Sequence, residues 1–461
     1  MNNHTLLGKL EQELGEAAII TDIGEDDKHL ADWSGEFANE KPAAIIRPAS
    51  TQEMATLLQH CYAENQAIAI QGGLTGLSAG AVPGKQELAV SLERLVGIEE
   101  IDTDAMTMTV LAGTPLQSIQ EAASEAGFSF PLDLGSRGSC TIGGNVSTNA
   151  GGNQVIRFGM TRALILGLEA VLADGTVVSS MNKMLKNNAG YDLKHLFIGT
   201  EGTIGIVTRV VLRLFPRLES RCSSLCALES HANVVKLLQM CGRELGGLLS
   251  SYEVMWDNYF HRVIDDVANL HSPFEERHKF YVLMEAEGSD QQEDARRLQG
   301  MLEKALESGL IDDAAIAQSE KERSSFWQIR DGIGEILPAL APCANFDISV
   351  PISRMQSFLE QANELLEKRF ESVDILIFGH LGDSNMHYLA RTGRKEDKLE
   401  IYDIIYKLVG EYAGSVSAEH GIGKLKRKYL GYSRSDAEMQ MMRQLKNTFD
   451  PRGILNPGRI I

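Results

Sequence analysis

The apolar positions of this chain follow two rhythms, and each predicts a different kind of element. Helical spacing from Leu6 to Leu14 predicts a helix, and the apolar run Ala43 to Arg47 predicts a short strand. Thr51 then opens a helix as its cap, with Glu53 in the first turn and Met54, Leu57, Leu58 and Cys61 on one face. Ala67 to Ile70 is a strand that runs straight into QGGLTGLSAG, so strand, helix, strand and glycine loop predict an α/β start. Later the rhythm changes to alternation. Ile204, Ile206, Val210, Leu212 and Leu214 share one strand face opposite Arg209 and Arg213, and Pro216 ends the strand and sets a domain boundary. Beyond it, Asn233 to Leu249 and Asp290 to Ser308 predict amphipathic helices around a strand from Phe280 to Glu287. Ser353 to Phe370 carries Met355, Phe358, Leu359, Ala362, Leu365 and Leu366 as a core stripe. Two more helices, Glu400 to Tyr412 and Ser435 to Asn447, precede the punctuated tail FDPRGILNPGRI.

The densest chemistry lies in IFGHLGDSNMHY, Ile377 to Tyr388, read with SAEHGIG, Ser417 to Gly423. Asp374 to Phe378 predicts a buried strand, and the Gly-Asp-Ser-Asn turn after it places His380 and His387 at the two rims of one loop. Either histidine alone reads as a residue satisfying a loop hydrogen bond. Together with Glu419 they form two imidazoles and a carboxylate, a ligand set that leaves a divalent metal one position open for substrate. His420 adds a further imidazole between glycines.

Composition narrows the class. The chain has 461 residues, 43% hydrophobic and 23% charged, enough for roughly two or three globular domains. Lys and Arg total 44 against 63 Asp and Glu, a formal charge of -19 without a basic run, which argues against a nucleic-acid partner. No apolar stretch reaches the roughly 20 residues that span a bilayer. The start MNNHTLLGKLEQELGEA has the features of neither a signal nor a transit peptide, so the expected location is the cytoplasm or the periphery of a membrane. Six scattered cysteines without a CxxC pair suggest neither a disulfide framework nor an iron-sulfur cluster.

Glycines crowd three regions, around Gly72 to Gly80, Gly135 to Gly152 and Gly199 to Gly205, which suggests backbone wrapped around a large ligand. QGGLTGLSAG could present successive N–H groups to phosphate oxygens, although it is neither a dinucleotide fingerprint nor a P-loop. SCTIGGNVSTNAGG alternates small polar side chains with paired glycines, a wall suited to a flat heterocycle.

QGGLTGLSAG, PLDLGSRGSCTIGGNVSTNAGG, FGMTR, ADGTVV, NNAGYDLKHLFIGTEGTIGIVT, GHLGDSNMH, SAEHGIG and DPRGILNPG stand here in one order. In that order the chain resembles the FAD-dependent D-2-hydroxy acid dehydrogenases of the vanillyl-alcohol oxidase type, from Pro42 to Ile461. The family includes D-lactate and D-2-hydroxyglutarate dehydrogenases and the FAD subunit of glycolate oxidase. The resemblance implies an α+β architecture: an FAD-binding domain of two α/β subdomains over residues 1–216, then a substrate domain with an antiparallel sheet and flanking helices over 217–461. The tail from about residue 411 is expected to return to the flavin.

Carried over position by position, the resemblance assigns Gly72, Gly73, Thr75, Gly76, Leu77 and Ser78 to the pyrophosphate. It assigns Ser139, Gly143, Gly144, Asn145, Ser147 and Thr148 to the flavin and its ribityl chain. Glu201 and Ile206 go to the adenine half and Asn456 to the ring. The first glycine loop lacks the histidine of members with tethered flavin, so FAD is expected to be noncovalent. His380, His387 and Glu419 match the metal ligands, zinc or manganese, and His420 the catalytic base. Arg330 reads from helix spacing as an exposed residue, but the resemblance makes it the binder of the substrate carboxylate.

Two departures bear on substrate. Asn345 stands where D-2-hydroxyglutarate enzymes have lysine, and Leu389 replaces a polar residue two places after His387. On these grounds a D-lactate-like monocarboxylate is the expected substrate and D-2-hydroxyglutarate the alternative. A flavin-dependent transferase on the same fold and a flavin-free metal hydrolase are more distant rivals. Ser384 stands where relatives have glycine, an expected strain if φ there is positive. The expected electron acceptor is a quinone, a cytochrome or an electron-transferring flavoprotein, and the expected assembly a homodimer.

Overall fold

A computed structural model describes residues 5–37 and 40–461. The chain divides into two compact units, one of residues 1–152, 159–217 and 419–461, the other of residues 153–158 and 218–418.

The first unit holds two sheets. In one, Ile45–Ile46 and Ile68–Gln71 both lie parallel to Leu88–Ser91, and Ile19–Ile20 pairs antiparallel at the edge. The helix Thr51–Ala63 connects two of these strands and buries Met54, Leu57, Leu58 and Cys61. Its cap is Ser50, whose hydroxyl accepts from the Glu53 N–H; Thr51, expected there, instead donates to Glu169 at 2.8 Å. The second sheet is antiparallel, in the order Ile98–Asp102, Thr107–Leu111, Ile206–Arg213, Ile165–Val171 and Val177–Ser180. The chain's last segment belongs to this unit: Ile68 donates to the Ile454 carbonyl at 2.9 Å, and Arg459, 1% exposed, pairs with Glu87.

The second unit is one seven-stranded antiparallel sheet. Its strands run in the order Asp313–Ile316, Ser220–Leu228, Phe280–Gly288, Leu249–Trp256, Asp374–Gly379, Asn385–Arg391 and Ala344–Ser349. Tyr259, Phe260, Val263, Phe326, Ile329 and Ile336 pack with Met255, Phe378 and Leu389 in the core on one face.

Helical periodicity misplaced one boundary here. The helix after Ser230 ends at Glu244, short of the expected Leu249, and Leu249 begins a strand to Trp256 that helical and alternating patterns alike leave unmarked. The run SSYEVMW is buried on both faces, so it lacks the alternation that marks a half-exposed strand. Leu365, expected in the core stripe of the helix Ile352–Arg369, is exposed, whereas Met355, Phe358, Leu359, Ala362 and Leu366 are buried.

Candidate active site

The two histidines stand on a tight hairpin. Asp374–Gly379 pairs antiparallel with Asn385–Arg391, and a short 3-10 turn, Leu381–Asp383, joins them. A Cβ at Gly379 would fall 2.6 Å from the Asn385 carbonyl oxygen, so glycine is what lets the hairpin close. Closure brings the rings of His380 and His387 to 5.5 Å between centroids, with both residues buried. Ser384, at φ 70, sits in the left-handed region, which meets the condition for strain at a serine there. Ser384→Gly is expected to raise the stability of this unit by about 1 kcal/mol, readable as a higher urea midpoint; an unchanged or lower midpoint would mean the serine is not strained.

Arg330, near the end of the helix Glu320–Asp331, is buried, contrary to its reading as an exposed helix residue. Its Nε donates to Glu253 Oε2 at 2.8 Å and one Nη2 hydrogen to His380 Nε2 at 2.9 Å, while Nη1 reaches Asp331 at 3.1 Å. The other Glu253 oxygen lies 2.7 Å from His380 Nδ1. One carboxylate therefore orients both the guanidinium and the imidazole. Burial alone would push Glu253 up, but the charges of Arg330 and His380 outweigh it and hold the carboxyl at about 2. Burial pushes Asp383 up to about 6, opposed by His380 and reinforced by Glu253.

Glu253 is the residue that sequence reasoning missed. Its only signal is a lone acid within an apolar run. Asp347 is a second case: fully buried, directly opposite His387 in the strand register, its backbone carbonyl accepting from Ala418 at 3.2 Å and its side chain from the Ser417 hydroxyl at 3.3 Å. Ser417 and Ala418 immediately precede Glu419 in the chain.

In the first unit the two glycine segments pack on each other. A Cβ on Gly73 would lie 2.0 Å from the Ser139 carbonyl oxygen, and one on Gly143 would lie 2.7 Å from the Ala112 Cβ. Part of the glycine density thus serves contact between protein segments rather than contact with a ligand. Ligand-binding capacity remains nearby. Among the described residues the N–H groups from Gly73 to Ser78, including Thr75, Gly76 and Leu77, donate to no protein acceptor, and the buried Thr141 Oγ1 and Asn145 Oδ1 have no partner. Free donors in a bent loop beside unsatisfied side-chain oxygens suit a phosphate-bearing cofactor. On the helix Ile142–Thr148, the hydroxyls of Ser147 and Thr148 bond back to the Gly143 and Gly144 carbonyls.

Three other expected cofactor residues are engaged within the protein. Asn456 accepts from the Ile70 N–H at 2.8 Å and donates to the Glu201 carbonyl at 2.6 Å. Ile206 is a buried strand residue, and both Glu201 carboxylate oxygens lie on the backbone of Ile422 and Gly423. Glu419 and His420 stand in irregular backbone, and the His420 carbonyl accepts from the Ser78 hydroxyl at 3.1 Å.

With this geometry in view, comparison with known proteins assigns the family. The family model for the FAD binding domain matches residues 42–180, and that for the C-terminal domain of FAD linked oxidases matches residues 217–460. The chain is 36% identical over 450 residues to a mitochondrial D-2-hydroxyglutarate dehydrogenase of Arabidopsis thaliana, covering 97% of this chain and 80% of that protein. This chain belongs to the FAD-dependent D-2-hydroxy acid dehydrogenases. A D-2-hydroxyglutarate dehydrogenase of Xanthomonas citri pv. viticola is likewise 36% identical, over 98% of this dehydrogenase and 96% of its own length. The fold of p-cresol methylhydroxylase superposes with a TM-score of 0.79 at 14% identity, covering 99% of this dehydrogenase and 96% of that chain. Among the described residues no helix is long and apolar enough to cross a membrane.

Proposed function

We propose that this dehydrogenase oxidises D-2-hydroxyglutarate to its 2-oxo acid, with noncovalent FAD and a divalent metal, zinc or manganese, held by His380, His387 and Glu419, the metal taking the His380 Nε2 lone pair that Arg330 meets in its absence. The observation that carries the substrate is the 36% identity, over nearly the whole chain, to relatives named for D-2-hydroxyglutarate. This favours the alternative over the D-lactate-like substrate expected from sequence. Leu389 does not bear on the substrate, because that side chain is 2% exposed and packed in the apolar core with Phe378 and Ile336. A core leucine reports packing and not substrate polarity. Asn345, half-buried opposite it in the strand register, offers a neutral amide for a distal carboxylate.

FAD, when bound, supplies a hydride acceptor at flavin N5, and the metal a Lewis acid for the substrate oxygens. The protein residues then have distinct tasks. Arg330 binds the substrate carboxylate; its Nε edge is fixed by Glu253, and each Nη nitrogen carries a second N–H for a bidentate contact. His420 takes the hydroxyl proton on an imidazole nitrogen as the Cα–H bond breaks. The chain has no nicotinamide fingerprint, which supports a quinone, a cytochrome or an electron-transferring flavoprotein as acceptor.

Anaerobic bleaching of the flavin by a panel of D- and L-2-hydroxy acids tests the substrate. D-2-hydroxyglutarate is expected to exceed D-lactate in kcat/KM by at least about 10-fold, about 1.4 kcal/mol; the reverse order would restore the monocarboxylate. Acid precipitation is expected to release all the yellow colour, since the first glycine loop carries no histidine tether. Colour retained in the pellet would refute noncovalent binding.

A further inference from the structure

We infer that Glu201 is the positioning residue of the segment carrying Glu419 and His420, and not a ligand of the flavin. Its Oε1 accepts from the Ile422 N–H at 2.6 Å and its Oε2 from the Gly423 N–H at 2.8 Å, so both oxygens grip consecutive peptide groups. The turn is built around that carboxylate. Gly421 has φ 75, and a Cβ there would fall 2.7 Å from Glu201 Oε1, leaving room only for glycine. Glu201 is itself held in a left-handed conformation, φ 49, by two backbone bonds: its N–H donates to the Ser147 carbonyl at 2.8 Å and its carbonyl accepts from Asn456 at 2.6 Å. Non-glycine residues persist in that region when their surroundings over-determine them.

Ser78 closes the other side. Its hydroxyl lies 3.1 Å from the carbonyls of both His420 and Gly421, and its own carbonyl accepts from Lys424 at 3.0 Å. The peptide of His420 is therefore held on its carbonyl side by Ser78, and the next peptides by Glu201. Charge-assisted bonds to backbone N–H groups are the stronger kind, and losing this acceptor would strand two N–H groups. A ligand and a base borne on five residues of irregular chain need such a clamp, because small displacements of reacting groups cost rate steeply. The inference rests on the proposed roles of Glu419 and His420.

Glu201→Gly removes the carboxylate at a position whose φ suits glycine, and Glu201→Gln keeps the size but sets an amide N–H against a backbone N–H. In FAD-loaded, metal-saturated enzyme, either variant is expected to bind FAD at the wild-type stoichiometry and to be fully reduced by dithionite. Its kcat is expected to fall about 30- to 100-fold with KM within about 3-fold, since Arg330 is untouched. Zinc affinity, read by chelator competition without turnover, is expected to weaken about 10-fold. If Glu201→Gly fails to fold by circular dichroism, Glu201→Gln decides by the same readouts. Wild-type kcat and zinc affinity would overturn the inference, as would FAD loss cured by excess FAD to wild-type rate. Glu419→Ala and His420→Ala measured alongside separate the two readings: if they stay fully active the proposed site fails, whereas if they are inactive and Glu201→Gly is normal, only the clamp is lost.

Discussion

His387→Ala is expected to abolish reduction of the flavin by the hydroxy acid while leaving FAD bound and reducible by dithionite. The reason is a division of labour. His387 is the third residue of the strand Asn385–Arg391, in the second unit, whereas the loop of free N–H groups offered to a pyrophosphate lies in the first. Losing His387, a ligand of the proposed metal, should therefore not loosen the cofactor, and chelation of the wild-type enzyme should reproduce the variant. His420→Ala should differ: metal and FAD retained, flavin reduction slowed by roughly 100-fold or more, the usual scale for loss of a general base. Stopped-flow reduction together with metal analysis reads both. Normal turnover in chelated enzyme, or metal loss in His420→Ala with metal retained in Glu419→Ala, would overturn the assignment of ligands and base.

Glu253→Gln is expected to destabilise the second unit by about 3–5 kcal/mol, the cost of leaving one charge of a buried pair without its partner. The side chain is 1% exposed, and it neutralises a guanidinium that is itself buried. Because its folded pKa is depressed to about 2, its stabilisation is complete above the ordinary carboxylate range and is lost as pH falls towards that value. Urea titration at pH 7 measures the loss. The double variant Glu253→Gln, Arg330→Met should recover part of it, because the stranded cation is removed. A change below about 1 kcal/mol in the single variant would mean that Asp331 alone satisfies Arg330.

What the sequence determined by itself was local or carried by motif. The buried strand before His380, the tight loop that separates His380 from His387 and the glycine loop after Ile68–Gln71 all follow from residues adjacent in sequence, where turn chemistry and apolar runs act over a few positions. The order of motifs gave the family and its cofactor. Tertiary structure alone decided which buried charge meets which. Glu253 lies 77 residues from Arg330 and 127 from His380, and Glu201 lies 221 from Ile422, separations over which no periodicity carries information. It also decided that Arg330 is inside the protein and Leu389 in a core, since helix and strand patterns state which face a residue occupies but not what covers that face. The strand Leu249–Trp256 was hidden for the same reason: buried on both sides, it shows no alternation, and only the strands hydrogen-bonded on either side of it define it as a strand.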